Sequence, residues 1–274
     1  MMFTLIVVGT LVAGLGSVWI AALLASALLS RFTQHLLSLA AGALLATAFM
    51  RLLPEAFEQA AQDSISAQAL FAVLLVGVVF FFLLDKAELW HHGHEHHHEQ
   101  VHADDHGHAH AHAHTDHAHT HTHAHRGGGW AVLLGDSVHA FGDGILIAAA
   151  FLADAHLGLA AALAVMTHEV PHHVGDLVVL RQMLVQPRGA LLRLSLAGAV
   201  TTLGGIVGYA VVGALQGYLP FFLVVAASSF IYVALADLIP QLQKRLTPRQ
   251  TLAQVLWLLA GMGVVALIGV WVQH

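Results

Sequence analysis

Runs of about twenty apolar residues, separated by short polar intervals, recur along this chain at 4–29, 36–56, 67–90, 130–153, 158–184, 191–214, 219–242 and 252–272. A helix rises about 1.5 Å per residue, so about 20 such residues cross the ~30 Å hydrocarbon core of a bilayer. The pattern predicts an all-α integral membrane protein of eight transmembrane helices, since only helices or closed barrels satisfy their backbone groups in lipid. The second and fifth runs are the most polar. Between the third and fourth the texture changes: residues 91–125 hold 17 histidines, mostly alternating with Ala, Thr, Asp and Gly. A segment with so few large apolar side chains cannot offset its ordering entropy by burial, and it is expected to be disordered without a ligand. The chain therefore divides into 1–90 (spans one to three), 91–129 (a His-rich connection ending in Gly127-Gly128-Gly129) and 130–274 (spans four to eight).

Composition sharpens this. Of 274 residues, 58% are hydrophobic and only 9% charged, against about 25% charged in soluble domains. Cysteine is absent, which excludes disulfides and thiolate metal sites. No basic cluster suggests nucleic acid. The stretch from Thr4 to Leu29 lacks a basic n-region and is longer than a signal-peptide core, so it reads as the first span. Arg31, Lys86, Arg126, Arg181, Arg188, Arg193, Lys244, Arg245 and Arg249 all fall at one end of the expected bundle, with Arg51 the exception. The positive-inside rule makes that end cytoplasmic and leaves both termini outside. The membrane expected is a bacterial inner membrane or a plasma membrane.

Ionisable groups within spans are expensive and usually functional. Span four carries Asp136, His139 and Asp143; span five carries His168, Glu169, His172, His173 and Asp176. His139 and Asp143 stand i, i+4, as do His168 and His172, and Glu169 and His173, so each set shares a helix face. If the faces meet, imidazole and carboxylate groups converge at membrane depth. That ligand set suits Zn²⁺ and, less selectively, Fe²⁺, Mn²⁺ or Co²⁺. Pro171 cannot donate to the Thr167 carbonyl, so a kink beside the site is expected. The bland reading, polar residues gluing helices together, accounts poorly for so many on two spans. The loop histidines read as a cytoplasmic metal buffer or sensor. Gly204-Gly205 and Gly208 give span six a small-residue face suited either to a homodimer or to packing inside the bundle.

The motifs resemble a known family. His139-Ala140-Phe141-Gly142-Asp143-Gly144 is similar to the fourth-helix pattern HNxxDG of the ZIP (Zrt-/Irt-like) divalent metal transporters, and His168-Glu169-Val170-Pro171-His172-His173-Val174-Gly175-Asp176 to the fifth-helix pattern HExPHEVGD of one subfamily. Arg51-Leu52-Leu53-Pro54-Glu55 resembles the second-helix HLLP element, and Phe230 to Leu235 with Pro240 the seventh-helix FIYVALxxxxP pattern. The resemblance implies a ZIP-type bundle that moves metal into the cytosol by rocking one helix group against another. It implies a binuclear-type site: His139, Asp143 and His172 as the principal ligands, with Asp143, His168, Glu169 and His172 available to an adjoining ion. Metal would pass Glu55 on the way in and leave along Asp136, His173 and Asp176. The ion is transported substrate, and no cofactor is expected. Three positions depart from the pattern: Ala140 replaces an Asn ligand, His173 a Glu, and Arg51 a His.

Two other classes share parts of this pattern. His168-Glu169-Val170-Pro171-His172 is also an HExxH sequence, the motif of zinc proteases, but a proline inside it disturbs the spacing and the span-four ligands go unused. Cation-diffusion exporters share intramembrane His/Asp sites, usually with six spans and a terminal soluble domain.

Overall fold

The computed structural model describes residues 1–24, 33–93, 128–183, 187–242 and 247–272. Most of the His-rich connection, residues 94–127, lies outside them. Among the described residues there are eight helical rods and no strand. They are α1 (Met2–Leu24), α2 (Gln34–Gln62), α3 (Ala67–Gly93), α4 (Gly128–Ala153), α5 (Ala155–Met183), α6 (Pro187–Ala214), α7 (Gln216–Leu242) and α8 (Pro248–Val272). Seven are long and apolar enough to cross a membrane; the one that is not is α5. Length is not its shortfall, because 29 residues make about 43 Å of helix. Its five ionisable residues from His168 to Asp176 lower its hydropathy. The helix that fails as an apolar rod is the one that bears most of the candidate site.

Local signals set the ends of the rods. Asp154 alone joins α4 to α5, and its Oδ1 accepts from the backbone N–H groups of His156 (2.9 Å) and Leu157 (3.0 Å), an N-cap. Thr247 opens α8 with a capping box: the Gln250 side-chain oxygen accepts from the Thr247 N–H at 2.9 Å, and the Thr247 hydroxyl accepts in turn from the Gln250 N–H. The connections α2–α3, α4–α5 and α6–α7 meet at one end, where Gln59, Gln62, Asp63, Ala153 and Gln216 line a cleft of about 380 Å³. Alternating up-and-down rods require that meeting.

Two rods contain a wide π-turn just ahead of a proline: Ala48–Leu52 before Pro54 in α2, and Val233–Leu238 before Pro240 in α7. Proline lacks the N–H that would bond four residues back, to Met50 or Ala236, and its ring crowds that carbonyl, so the preceding turn widens. A third π-turn, Val12–Gly16, lies in α1. Around Pro171, by contrast, α5 stays helical from Ala155 to Met183.

Glycine contacts divide the bundle into two groups. A Cβ on Gly144 or Gly204 would strike the other helix of the α4–α6 pair, and one on Gly14 would strike α6. Gly42 and Gly261 do the same between α2 and α8, and Gly77 meets Ser228 between α3 and α7. Among the described glycines, every such close approach joins rods within α1, α4, α5 and α6, or within α2, α3, α7 and α8. Between the groups lies a core cluster of alkyl and aromatic side chains that includes Leu44, Leu52, Phe230, Ile147 and Val165, and His172 of α5 meets Asp237 of α7 across it. The small face of α6 is used internally, since Gly204 rests on Phe141, Gly205 on Thr10 and Gly208 on Ile145 and Ala148. Buried hydroxyls bond back to their own helices, as Thr10 does to Ile6 (2.7 Å) and Thr47 to Ala43 (2.8 Å), which meets the demand for internal partners at membrane depth.

Gly204→Ala should lower the melting temperature in detergent by several degrees, because overpacking costs about 1–3 kcal/mol. Gly213→Ala, with open space around it, should leave it unchanged or slightly raised. Equal melting temperatures for both variants would show that the close approach does not set stability.

Candidate metal centre

The site forms where α4 and α5 face each other. Asp136, His139 and Asp143 follow one stripe of α4, one turn apart. On α5, Glu169 and His173 face that stripe, and His168 lies one turn from His172 toward Asp154. Asp143, His168, Glu169 and His173 are each no more than 3% exposed. His139, half-buried, closes the group toward the space between the helices.

Four side chains converge. His168 Nε2 lies 3.4 Å from Asp143 Oδ2 and 3.1 Å from Glu169 Oε1; His139 Nε2 lies 3.8 and 3.5 Å from the same two oxygens. One ligand atom from each residue falls within 4.8 Å of all the others. Around a tetrahedral Zn²⁺ with bonds of about 2.0–2.1 Å, ligand atoms stand about 3.3 Å apart. The observed separations bracket that spacing. His168 Nδ1 lies 3.3 Å from the Ala164 carbonyl. A carbonyl only accepts, so Nδ1 carries the proton and Nε2 presents its lone pair to the group. His168 Nε2, Asp143 Oδ2 and Glu169 Oε1 are all buried without a hydrogen-bond partner, the donor arrangement that a cation completes.

A second group adjoins the first through the same glutamate. Glu169 Oε2 lies 3.1 Å from His173 Nε2, which is 3.9 Å from Asp136 Oδ1. Asp136, Glu169 and His173 again offer ligand atoms within 4.8 Å of one another. Each oxygen of Glu169 thus faces a different group.

Of the sequence candidates, six fall into these groups: Asp136, His139, Asp143, His168, Glu169 and His173. His172 and Asp176 do not. The His172 ring is 6.3 Å from that of His139, nearly parallel, but its Nε2 is 3.1 Å from Asp237 Oδ2 on α7. His168 therefore stands in the principal group where His172 was expected. Among the described residues, neither group of converging ligand atoms holds both His168 and His172, the pair an HExxH site requires. Ala140, where an Asn was expected, is buried and offers no donor. Glu55, on the expected inward path, accepts a hydrogen bond from Gln59 at 2.8 Å.

Two residues escaped the sequence reading. Asp237 lies in the π-turn of α7, with Gln241 donating to its Oδ1 at 2.7 Å. An acidic residue inside a span, three positions before Pro240, was a legible signal. Ser17 on α1, 3.1 Å from His173 Nδ1, gave none, since one serine in an apolar span has no distinctive pattern.

Comparison with known proteins agrees with this geometry. The family described as ZIP Zinc transporter matches residues 1–269. Similar proteins include zinc transporter ZIP4 of Homo sapiens (39% identical over 142 residues), zinc transporter foi of Drosophila melanogaster (35% over 143) and zinc transporter SLC39A7 of Rattus norvegicus (40% over 151). These matches cover 52%, 52% and 51% of this chain, and 21%, 20% and 31% of those longer proteins. With nearly its whole length matched and a buried His/Asp/Glu centre between two of its helices, the chain belongs to the ZIP zinc transporter family.

Proposed function

We propose that this protein carries a divalent metal ion, Zn²⁺ first among Zn²⁺, Fe²⁺, Mn²⁺ and Cd²⁺, across the membrane into the cytosol. The observation that carries the reading is the buried group His139, Asp143, His168 and Glu169. Two carboxylates at membrane depth are costly to charge alone and favourable around a dication. Two imidazoles with them suit Zn²⁺. Relatives named as zinc transporters support the same ion.

In this reading one ion occupies the principal group and a second the adjoining group of Asp136, Glu169 and His173. His172 and Asp176 line the route beyond them. All eight rods span the membrane, α5 included, with both termini outside and the basic ends of the rods in the cytosol. The His-rich segment 91–129 then receives released metal as a buffer.

The two glycine-packed groups suggest how the ion moves. Both α4 and α5, with every ligand of both metal groups, belong to the group formed with α1 and α6. That group can shift against α2, α3, α7 and α8 across an interface of alkyl side chains that the His172–Asp237 contact bridges with polar atoms, so the shift has to break or carry that contact. Metal and ligands then travel together, and access passes from one side to the other.

In liposomes with a trapped indicator, wild type should admit Zn²⁺. His168→Ala and Asp143→Ala should each cut the initial rate at least ~100-fold, beyond the 10–100-fold typical of groups that only support ligands. His172→Ala should cost less. A folded His168→Ala protein with wild-type influx would overturn the assignment.

Protons and metal compete for the imidazole lone pairs, so the sign is fixed: more protons, weaker metal binding. Lowering the outside pH from about 7.5 to about 5.5, through the histidine range, should raise the KM for Zn²⁺ steadily. A flat profile would exclude histidine ligation on the uptake side.

A further inference from the structure

The orientation of His173 is set from outside the α4–α5 pair. Its Nδ1 lies 3.1 Å from the hydroxyl of Ser17, on α1, and both side chains are buried. The same hydroxyl lies 2.6 Å from the Gly14 carbonyl. A carbonyl oxygen can only accept, and a serine hydroxyl has one proton, so that proton points at Gly14. Toward His173, Ser17 then has only lone pairs to offer. The hydrogen in that contact belongs to Nδ1, and neutral His173 presents Nε2 bare. Nε2 is the atom 3.1 Å from Glu169 Oε2 and 3.9 Å from Asp136 Oδ1, and it is buried without a hydrogen-bond partner.

We infer that Ser17 is a positioning residue for the adjoining ion: by taking the Nδ1 proton of His173, it commits the Nε2 lone pair to the group that His173 forms with Asp136 and Glu169. The inference rests on the two-ion reading above. Local architecture makes the placement firm. Ser17 directly follows the π-turn Val12–Gly16, and within that turn Gly14 is pressed against Gly198 and Thr201 of α6. The carbonyl that fixes the serine proton is therefore itself held by helix packing. Without the hydroxyl, the Nδ1 proton loses its acceptor, and the ring is free to carry its proton on Nε2, where it would block a metal. A glutamate at this position, the residue of the related pattern, has no such ambiguity; histidine in its place requires an orienting partner.

The test uses crystals of the full chain equilibrated at stepped, buffered free Zn²⁺, with the occupancy of each position read from anomalous scattering, so that Zn²⁺ on the loop histidines does not interfere. Ser17→Ala should move half-occupancy of the Asp136–Glu169–His173 position to about 10–100-fold higher Zn²⁺, the usual effect of losing a partner behind a metal ligand. The His139–Asp143–His168–Glu169 position should not move. In a His173→Glu background, which has no ring proton to orient, Ser17→Ala should shift the adjoining position by less than about twofold, the double-mutant signature of a coupled pair. Unchanged half-occupancy in Ser17→Ala, an equal shift in both backgrounds, or a joint shift at both positions would overturn the inference while leaving the two-ion reading in place. Absence of Zn²⁺ from the adjoining position in wild type would overturn both.

Discussion

A carboxylate buried between helices at membrane depth has to be met by positive charge or by donors, and the groups that stand beside Glu169 are imidazoles and other carboxylates. Around it stand Asp136, Asp143 and three imidazoles, and among the described residues no lysine or arginine pairs with it. Its two oxygens look in different directions, one to each ligand group. The need to neutralise it links the rest of the site: which nitrogen each ring presents, how closely α4 and α5 approach, and why the binding of a dication is favourable where a bare charge would be costly.

The packing around that centre follows from the medium. Lipid supplies no hydrophobic drive for helices to associate, so close contact has to come from small residues and shape. Here the small residues do more than allow contact; they choose partners. Gly14, Gly144, Gly204 and Gly208 join α1 and α4 to α6, and Gly42, Gly77 and Gly261 join α2 to α8 and α3 to α7. Backbone-level contact locks register within each group. Between the groups the contact is alkyl through residues such as Leu44 and Ile147, with the His172–Asp237 hydrogen bond crossing it.

Much of this was legible in the sequence, for physical reasons. Lipid imposes a length and an apolarity on each span, and both can be read directly, so the eight rods lie close to the apolar runs. The polar residues of span four and span five stood out because they violate that rule. Within the site the reading weakened. Helical spacing places His172 on the same stripe as His168, yet it cannot show that a carboxylate on α7 lies nearer to His172 than the metal group does. Asp237 and Ser17 come from helices whose relation to α5 is a matter of tertiary packing alone. Proline gave a mixed signal: Pro54 and Pro240 each follow a widened turn, whereas α5 runs on through Pro171.

The single residue between α4 and α5 has a consequence for how this chain can change. Asp154 is the whole connection, capped on the spot by its own side chain. One inserted residue would have to be absorbed by turning α5 about 100° around its axis, which would carry Glu169 and His168 off the face opposite Asp143. Loop length at this end is thus part of the binding site's specification. A one-codon insertion beside Asp154 would pull the α5 side chains of the group away from those of α4.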